Sequence, residues 1–204
     1  MSNAWGLSNP TREELREQKR EAVIQEAARA FRQKGFRATS MEDIAAALGV
    51  TKGALYRYVH DKHEILFECF KVAQHMSDAA LETAQAHDGL GLAKLQVFFR
   101  SFIESFVAQG IAGTIMSDLD ELKPEHRLEV IRGRDRIEHG LRKLISDGID
   151  DGSIRPCRPK LAVFGLMGAV NWIPTWYSPE GEFKPAEIAA MMTDLFVNGL
   201  SAPE

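Results

Sequence analysis

Thr39-Ser40-Met41-Glu42-Asp43-Ile44-Ala45-Ala46-Ala47-Leu48-Gly49-Val50-Thr51-Lys52-Gly53-Ala54-Leu55-Tyr56-Arg57-Tyr58 is the stretch on which the reading of this chain turns. Met41, Ile44, Ala45 and Leu48 recur at the spacing of one apolar helix face. Thr39 or Ser40 can cap that helix, and Glu42 and Asp43 sit in its positive first turn. Gly49 ends it, because a sharp turn after a helix favours a residue that tolerates positive φ. Thr51 opens a second short helix with Leu55 and Val59 inward. Lys52, Gly53, Ala54, Tyr56, Arg57 and Tyr58 are left facing out. Two short helices joined by a tight glycine turn are the arrangement that sets the second into a DNA major groove.

The outward set has the chemistry for that groove. Thr51, Tyr56 and Tyr58 carry hydroxyls for phosphates, Lys52 reaches phosphate or guanine, and Arg57 can read guanine through two hydrogen bonds. Gly53 and Ala54 are small where a helix must come close to base edges.

Residues 18–77 resemble the DNA-binding domain of the tetracycline-repressor (TetR) family of bacterial regulators. The resemblance rests on Ala27-Ala28-Arg29-Ala30-Phe31, Gly35-Phe36, Thr39-Ser40-Met41, Ile44-Ala45, Leu48-Gly49-Val50, Thr51-Lys52-Gly53-Ala54-Leu55-Tyr56, Lys62 and Leu66. It implies an all-α homodimer, with an amino-terminal three-helix helix-turn-helix domain and a carboxy-terminal helical ligand-binding and dimerisation domain. It also implies DNA contacts at Ser40, Lys52, Gly53, Tyr56, Tyr58 and Lys62. Val59 stands where the family often has Phe, and Arg57 where an aromatic or His is common, so the operator sequence does not follow.

The net charge of −4 is unevenly spread. Residues 1–62 hold 11 Lys and Arg against 8 Asp and Glu, a balance of +3, which leaves −7 for the rest. A basic front on an acidic body orients the molecule toward phosphate. Cys69 and Cys157 are the two cysteines, expected as a buried thiol and a loop thiol in a reducing cytoplasm. No apolar run approaches the ~20 residues of a membrane span.

Residues 1–10 read as a disordered leader, in which Ser2-Asn3-Ala4 resembles an expression-tag remnant. Residues 11–77 are expected to form the DNA-binding domain and residues 78–204 the ligand-binding and dimerisation domain. A first helix spans 11–34, its start crowded by Arg12, Arg16, Lys19 and Arg20, which can either lie along phosphates or face solvent. A fourth, capped by Asp61, runs to about residue 87 and links both halves. Later helices are expected over 92–108, 111–119, 123–150, 158–177 and from Pro185 to Gly199. The last two are more apolar than one core needs, which points to an isologous four-helix dimer interface.

Phe102, Phe106, Met116, Leu141, Phe164, Met167 and Trp172 can line an apolar cavity, with Asn171 or an arginine to orient a ligand. Asn171-Trp172, Trp176-Tyr177, Gly181, Pro185-Ala186-Glu187-Ile188 and Gly199-Leu200 resemble the TetR subgroup governing fatty-acid or steroid catabolism. That subgroup implies an acyl-CoA effector, whose phosphates Arg134 or Arg142 could meet. The expected function is a cytoplasmic, ligand-responsive repressor that leaves a palindromic double-stranded operator when a small apolar effector binds. The alternatives are a regulator responsive to drugs or aromatic compounds, with Trp172 and Trp176 stacking, and an enzyme or carrier with a vestigial helix-turn-helix. The six histidines lack zinc-site spacing, no nucleophile elbow occurs, and neither a catalytic residue, a metal nor a cofactor is expected. Asp118, Asp120 and Glu121 near His126 read as a solvated helix junction.

Overall fold

The computed structural model describes residues 11–109 and 118–201. These form eight α-helices: α1 Arg12–Lys34, α2 Met41–Ala47, α3 Lys52–Leu55, α4 Lys62–Ala86, α5 Gly91–Ala108, α6 Pro124–Asp150, α7 Pro159–Trp176 and α8 Pro185–Leu200. A 3-10 turn, Leu119–Glu121, precedes α6. Among the described residues the only extended pairing is one isolated bridge, Ile154 with Ser201. The helix expected over 111–119 falls mostly outside the described residues, as does Met116.

The starts of the helices are written in local chemistry. Thr11 caps α1 in a reciprocal box: its Oγ1 accepts from the Glu14 N–H at 3.1 Å while Glu14 accepts from the Thr11 N–H at 2.6 Å. Asp61 accepts from the Glu64 N–H at 2.7 Å and starts α4. Pro stands in the first turn of α6, α7 and α8, where its missing N–H costs nothing.

Packing divides into two cores. Val23, Ile24, Ala27, Ala28 and Phe31 of α1 meet Ile44, Leu55, Val59 and Leu66 in the first, with Phe36 closing it edge-on to Phe31 at 5.1 Å. The second gathers the four phenylalanines of α5 with Leu141, Leu144 and Ile145 of α6, Val170 of α7 and Ile188 of α8. α4 belongs to both, giving Ile65, Leu66, Phe67 and Phe70 to the first core and Ala80 and Ala84 to the second. A helix is a stiff rod, so a tilt of α4 imposed at one core is carried to the other. Val130 of α6 and Leu122, just before that helix, also enter the first core.

Large apolar residues divide between core and surface on α6, α7 and α8. On α6 Leu128 is exposed and Val130 is buried. On α7 and α8, Leu161, Trp172, Trp176, Met191 and Leu195 all point to solvent, while Val163, Val170, Ile173 and Ile188 point inward. Isolated exposed apolar residues are ordinary, but this many large ones on two successive helices mark surface that a partner covers.

Candidate DNA interface and effector cavity

Ser40 begins α2 in a tight carboxylate box. Its hydroxyl donates to Asp43 Oδ2 at 2.5 Å, the Ser40 N–H donates to the same oxygen at 2.9 Å, and the Asp43 N–H returns to Ser40 Oγ at 3.1 Å. Lys34 adds an ion pair at 3.0 Å. The Ser40 hydrogen bonds, then Lys34, hold the Asp43 carboxyl far below the usual range. Gly49, at φ 65°, makes the turn that a side chain would strain. Thr51 then caps α3, its Oγ1 accepting from the Ala54 N–H at 3.2 Å. The hydroxyl proton stays available as a donor to phosphate.

α3 is only four residues, shorter than a recognition helix reaching Tyr58; residues 56–58 continue as turn. Leu55 and Val59 are buried as expected and anchor it. Thr51, Lys52, Gly53, Tyr56 and Arg57 are exposed, while Ala54 and Tyr58 are half-buried, Tyr58 packing on the first core. Gly53 has an ordinary φ, and a Cβ there would meet nothing within 4 Å. The protein's own packing therefore does not call for glycine at this position.

Lys52 is engaged by Glu42 of α2, with its ammonium bonded to the carboxylate and lying 5.8 Å from the Tyr56 ring centre. The hydrogen bond raises the Lys52 pKa and lowers that of Glu42. A phosphate or guanine reaching Lys52 would compete with that carboxylate for the ammonium. Arg12, Arg16 and Lys19 of α1 share a groove with Arg57 and Tyr58, so the basic helix start and the recognition turn form one surface.

Three sequence expectations meet a different arrangement. The Lys62 ammonium donates to the carbonyls of Phe36 at 3.1 Å, Thr39 at 3.2 Å and Arg37 at 3.4 Å, and lies 4.5 Å from the Phe36 ring centre. Its three donors serve the loop between α1 and α2 rather than a phosphate. The Ser40 hydroxyl is likewise spent on Asp43. Arg20 pairs with Glu68 at 3.0 Å, Glu17 at 3.5 Å and Glu64 at 3.6 Å, clamping α1 to α4 instead of facing DNA.

A cavity of about 190 Å³ lies between α4, α5, α6 and α7. Phe102, Phe106, Phe164, Met167 and Asn171, all singled out from sequence, line it. Leu141 does not: it is fully buried in the second core. Trp172 does not either, being 65% exposed on the outer face of α7 with Trp176 nearby at 49%, so neither is placed to stack on a ligand inside. The residues that sequence reasoning missed come from α4 and α6: Phe70, Gln74, Ser77, Val130 and Glu138. Nothing in their local pattern separates them from ordinary helix positions.

Arg134 is in the lining, its guanidinium 5.5 Å from the Phe70 ring centre, and burial lowers its pKa without removing its charge near neutrality. Arg142 is not; it pairs with Glu138 at 3.3 Å. Gln74 Nε2 is buried without a hydrogen-bond partner among the described residues. Such a donor costs about 1–3 kcal/mol while it stays unsatisfied.

Two ion pairs join the recognition unit to the segment leading into α6. Arg37, in the loop before α2, meets Glu121 at 2.6 Å, and Lys123 meets Asp61, the cap of α4, at 3.0 Å. His126 stacks on Phe67 of α4 with ring centres 3.9 Å apart. The junction that looked solvated is therefore a contact surface: Asp120 pairs with Arg127 at 2.9 Å, and burial raises the Asp118 pKa. Among the described residues no His, Cys, Asp or Glu side chains group as a metal site would require. No helix among them is long and apolar enough to cross a membrane.

A capped helix-turn-helix on one core, tied through shared helices to an apolar cavity in another, defines a DNA-binding regulator with a ligand site. Known families agree. Residues 23–69 match the model described as bacterial regulatory proteins, tetR family, and residues 88–200 match the tetracyclin repressor-like C-terminal domain. The chain belongs to the TetR family of ligand-responsive, DNA-binding transcriptional regulators. It is similar to the crystal structure of PfmR, a TetR family transcriptional regulator from Thermus thermophilus, at 33% identity and TM-score 0.78, covering 86% of this chain and 97% of that one. AibR in complex with isovaleryl coenzyme A and operator DNA is 26% identical with TM-score 0.74, over 91% of this chain and 100% of that one. The transcriptional repressor KstR2 of Mycolicibacterium smegmatis is 23% identical over 90% of this chain and 91% of its own length.

Proposed function

We propose that this chain is a cytoplasmic homodimeric repressor, released from a palindromic operator by a small apolar effector, an acyl-CoA thioester. Residues 11–77 act as its DNA-binding unit and residues 78–204 as its ligand and dimerisation unit. The observation that carries the reading is the sharing of α4 and α6 between the cavity and the recognition unit. Phe70, Gln74 and Ser77 face the cavity from the same helix that supplies Ile65 and Leu66 to the first core. The likeness to AibR, whose solved complex holds both isovaleryl coenzyme A and operator DNA, supports the choice of thioester.

Thr51, Lys52, Gly53, Ala54, Tyr56, Arg57 and Tyr58 form the surface assigned to DNA. Paired copies must reach half-sites about one turn apart, roughly 34–36 Å. An effector filling the cavity presses α6 against α4. That pressure reaches the recognition unit through Phe67–His126 stacking and the Arg37–Glu121 and Lys123–Asp61 pairs. A coupling of about 1–3 kcal/mol would weaken operator binding roughly 5- to 150-fold.

Fluorescence anisotropy on the DNA upstream of the gene, with and without thioesters, tests this. Lys52→Ala and Tyr56→Ala are expected to weaken binding, and Lys52→Ala also to flatten its salt dependence, since only the ammonium contact is coupled to counterion release. Operator affinity unchanged by both substitutions would remove the contact assignment.

A further inference from the structure

Five polar residues interrupt the apolar wall of the cavity: Gln74 and Ser77 on α4, Arg134 and Glu138 on α6, and Asn171 on α7. The Ser77 hydroxyl is within 3.0 Å of the carbonyls of Ala73 and Gln74, to which it donates, and Glu138 accepts from Arg142. Gln74 stands apart, because its Nε2 donor is buried and has no acceptor among the described residues. Buried donors are nearly always paired, so an unpaired one on a side chain that lines a cavity is a group that a turn of the amide would offer to a partner.

The amide is seated by the opposite helix. A Cβ placed on Gly133 of α6 would lie 2.6 Å from Gln74 Cδ, closer than carbon atoms approach. Glycine is the weakest helix former after proline, yet it stands in the middle of a 27-residue helix. Its absence of a side chain opens the space that Gln74 fills. Two costs, a weakened helix and an unsatisfied donor, converge on one amide group.

Size narrows what can meet it. An engineered cavity of about 150 Å³ accommodates benzene, a molecule of six carbons. By that measure about 190 Å³ receives roughly six to eight non-hydrogen atoms. A long fatty chain or a sterol nucleus exceeds it about twofold.

We propose that the cavity is a seat for a short acyl group of about six to eight non-hydrogen atoms, whose carbonyl oxygen accepts a hydrogen bond from Gln74 Nε2. Gln74, positioned by Gly133, is then the residue that selects a carbonyl compound over a plain hydrocarbon of the same size. This deepens the thioester reading and rests on the cavity being the effector site.

Calorimetric titration of the full chain with isovaleryl-CoA, hexanoyl-CoA, palmitoyl-CoA and free coenzyme A decides it, with Gln74→Met and Gly133→Ala beside the wild type. The two short thioesters should bind at least about tenfold more tightly than palmitoyl-CoA or coenzyme A, a comparison that needs no variant. Gln74→Met keeps the length of the side chain and removes the donor; it should weaken the short thioesters roughly 3- to 10-fold, the range of one net hydrogen bond. Gly133→Ala displaces the amide and should weaken them as well. Palmitoyl-CoA binding as tightly as the short thioesters, or short-thioester affinity indifferent to Gln74→Met, overturns the short-acyl seat and leaves the thioester reading standing. Absence of binding by every thioester overturns both.

Discussion

Replacing Trp172 by alanine strips the outward face of α7 without touching either core, and its effect can be worked from exposure. The indole is 65% exposed in the single chain. A tryptophan carries up to about 250 Å² of surface, so roughly 160 Å² is open for a partner to cover. At about 25 cal/mol per Å², full coverage would be worth about 4 kcal/mol per copy. Half coverage, with two copies in a twofold-symmetric interface, gives about 4 kcal/mol per dimer, or nearly a thousandfold in dissociation constant. Met191 at 65% and Leu195 at 68% flank the same surface from α8, so Leu195→Glu should act in the same direction by setting a carboxylate into an apolar contact.

Sedimentation velocity from nanomolar to high micromolar concentration reads this directly. The wild type should sediment as a dimer through most of the range and Trp172→Ala should dissociate within it. Operator affinity should fall in step, because paired recognition units share the binding energy. Dimers that persist unchanged in both Trp172→Ala and Leu195→Glu would refute the assignment of this face.

Two further outcomes separate local roles. Lys62→Met should lower stability by about 1.5–3 kcal/mol, since one charged donor serves three carbonyls. In a chain of this size that is a drop of roughly 3–10 °C in Tm. The salt dependence of DNA binding should be unchanged, whereas a phosphate contact would flatten it. Asp43→Asn should lower Tm at pH 7, and the gap should close under acid conditions. The folded-state pKa of Asp43 lies below its ordinary 3.8, so its contribution is complete above that ordinary value and is lost as pH falls through the folded one. A gap that stays constant as pH falls well below the ordinary value of 3.8 would show that the carboxylate charge contributes nothing.

The sequence by itself determined the elements and the class. Thr11, Ser40, Thr51 and Asp61 each cap a helix through the backbone three residues on, and Gly49 turns the chain at positive φ. These are interactions within one turn, so spacing and residue type record them. The same holds for Leu55 and Val59, whose burial follows from a four-residue period. Family motifs are legible for the same reason. Only the tertiary structure decided which partner each side chain keeps. Lys62 looked free until carbonyls 23–26 residues earlier closed around it. Leu141, Phe164 and Trp172 are equally apolar in sequence, yet one is core, one lines the cavity and one faces out. Gln74 and Gly133 are 59 positions apart and carry no shared signal. A period of 3.6 residues says that a helix has an apolar face, but what that face meets is fixed by packing between helices distant in the chain.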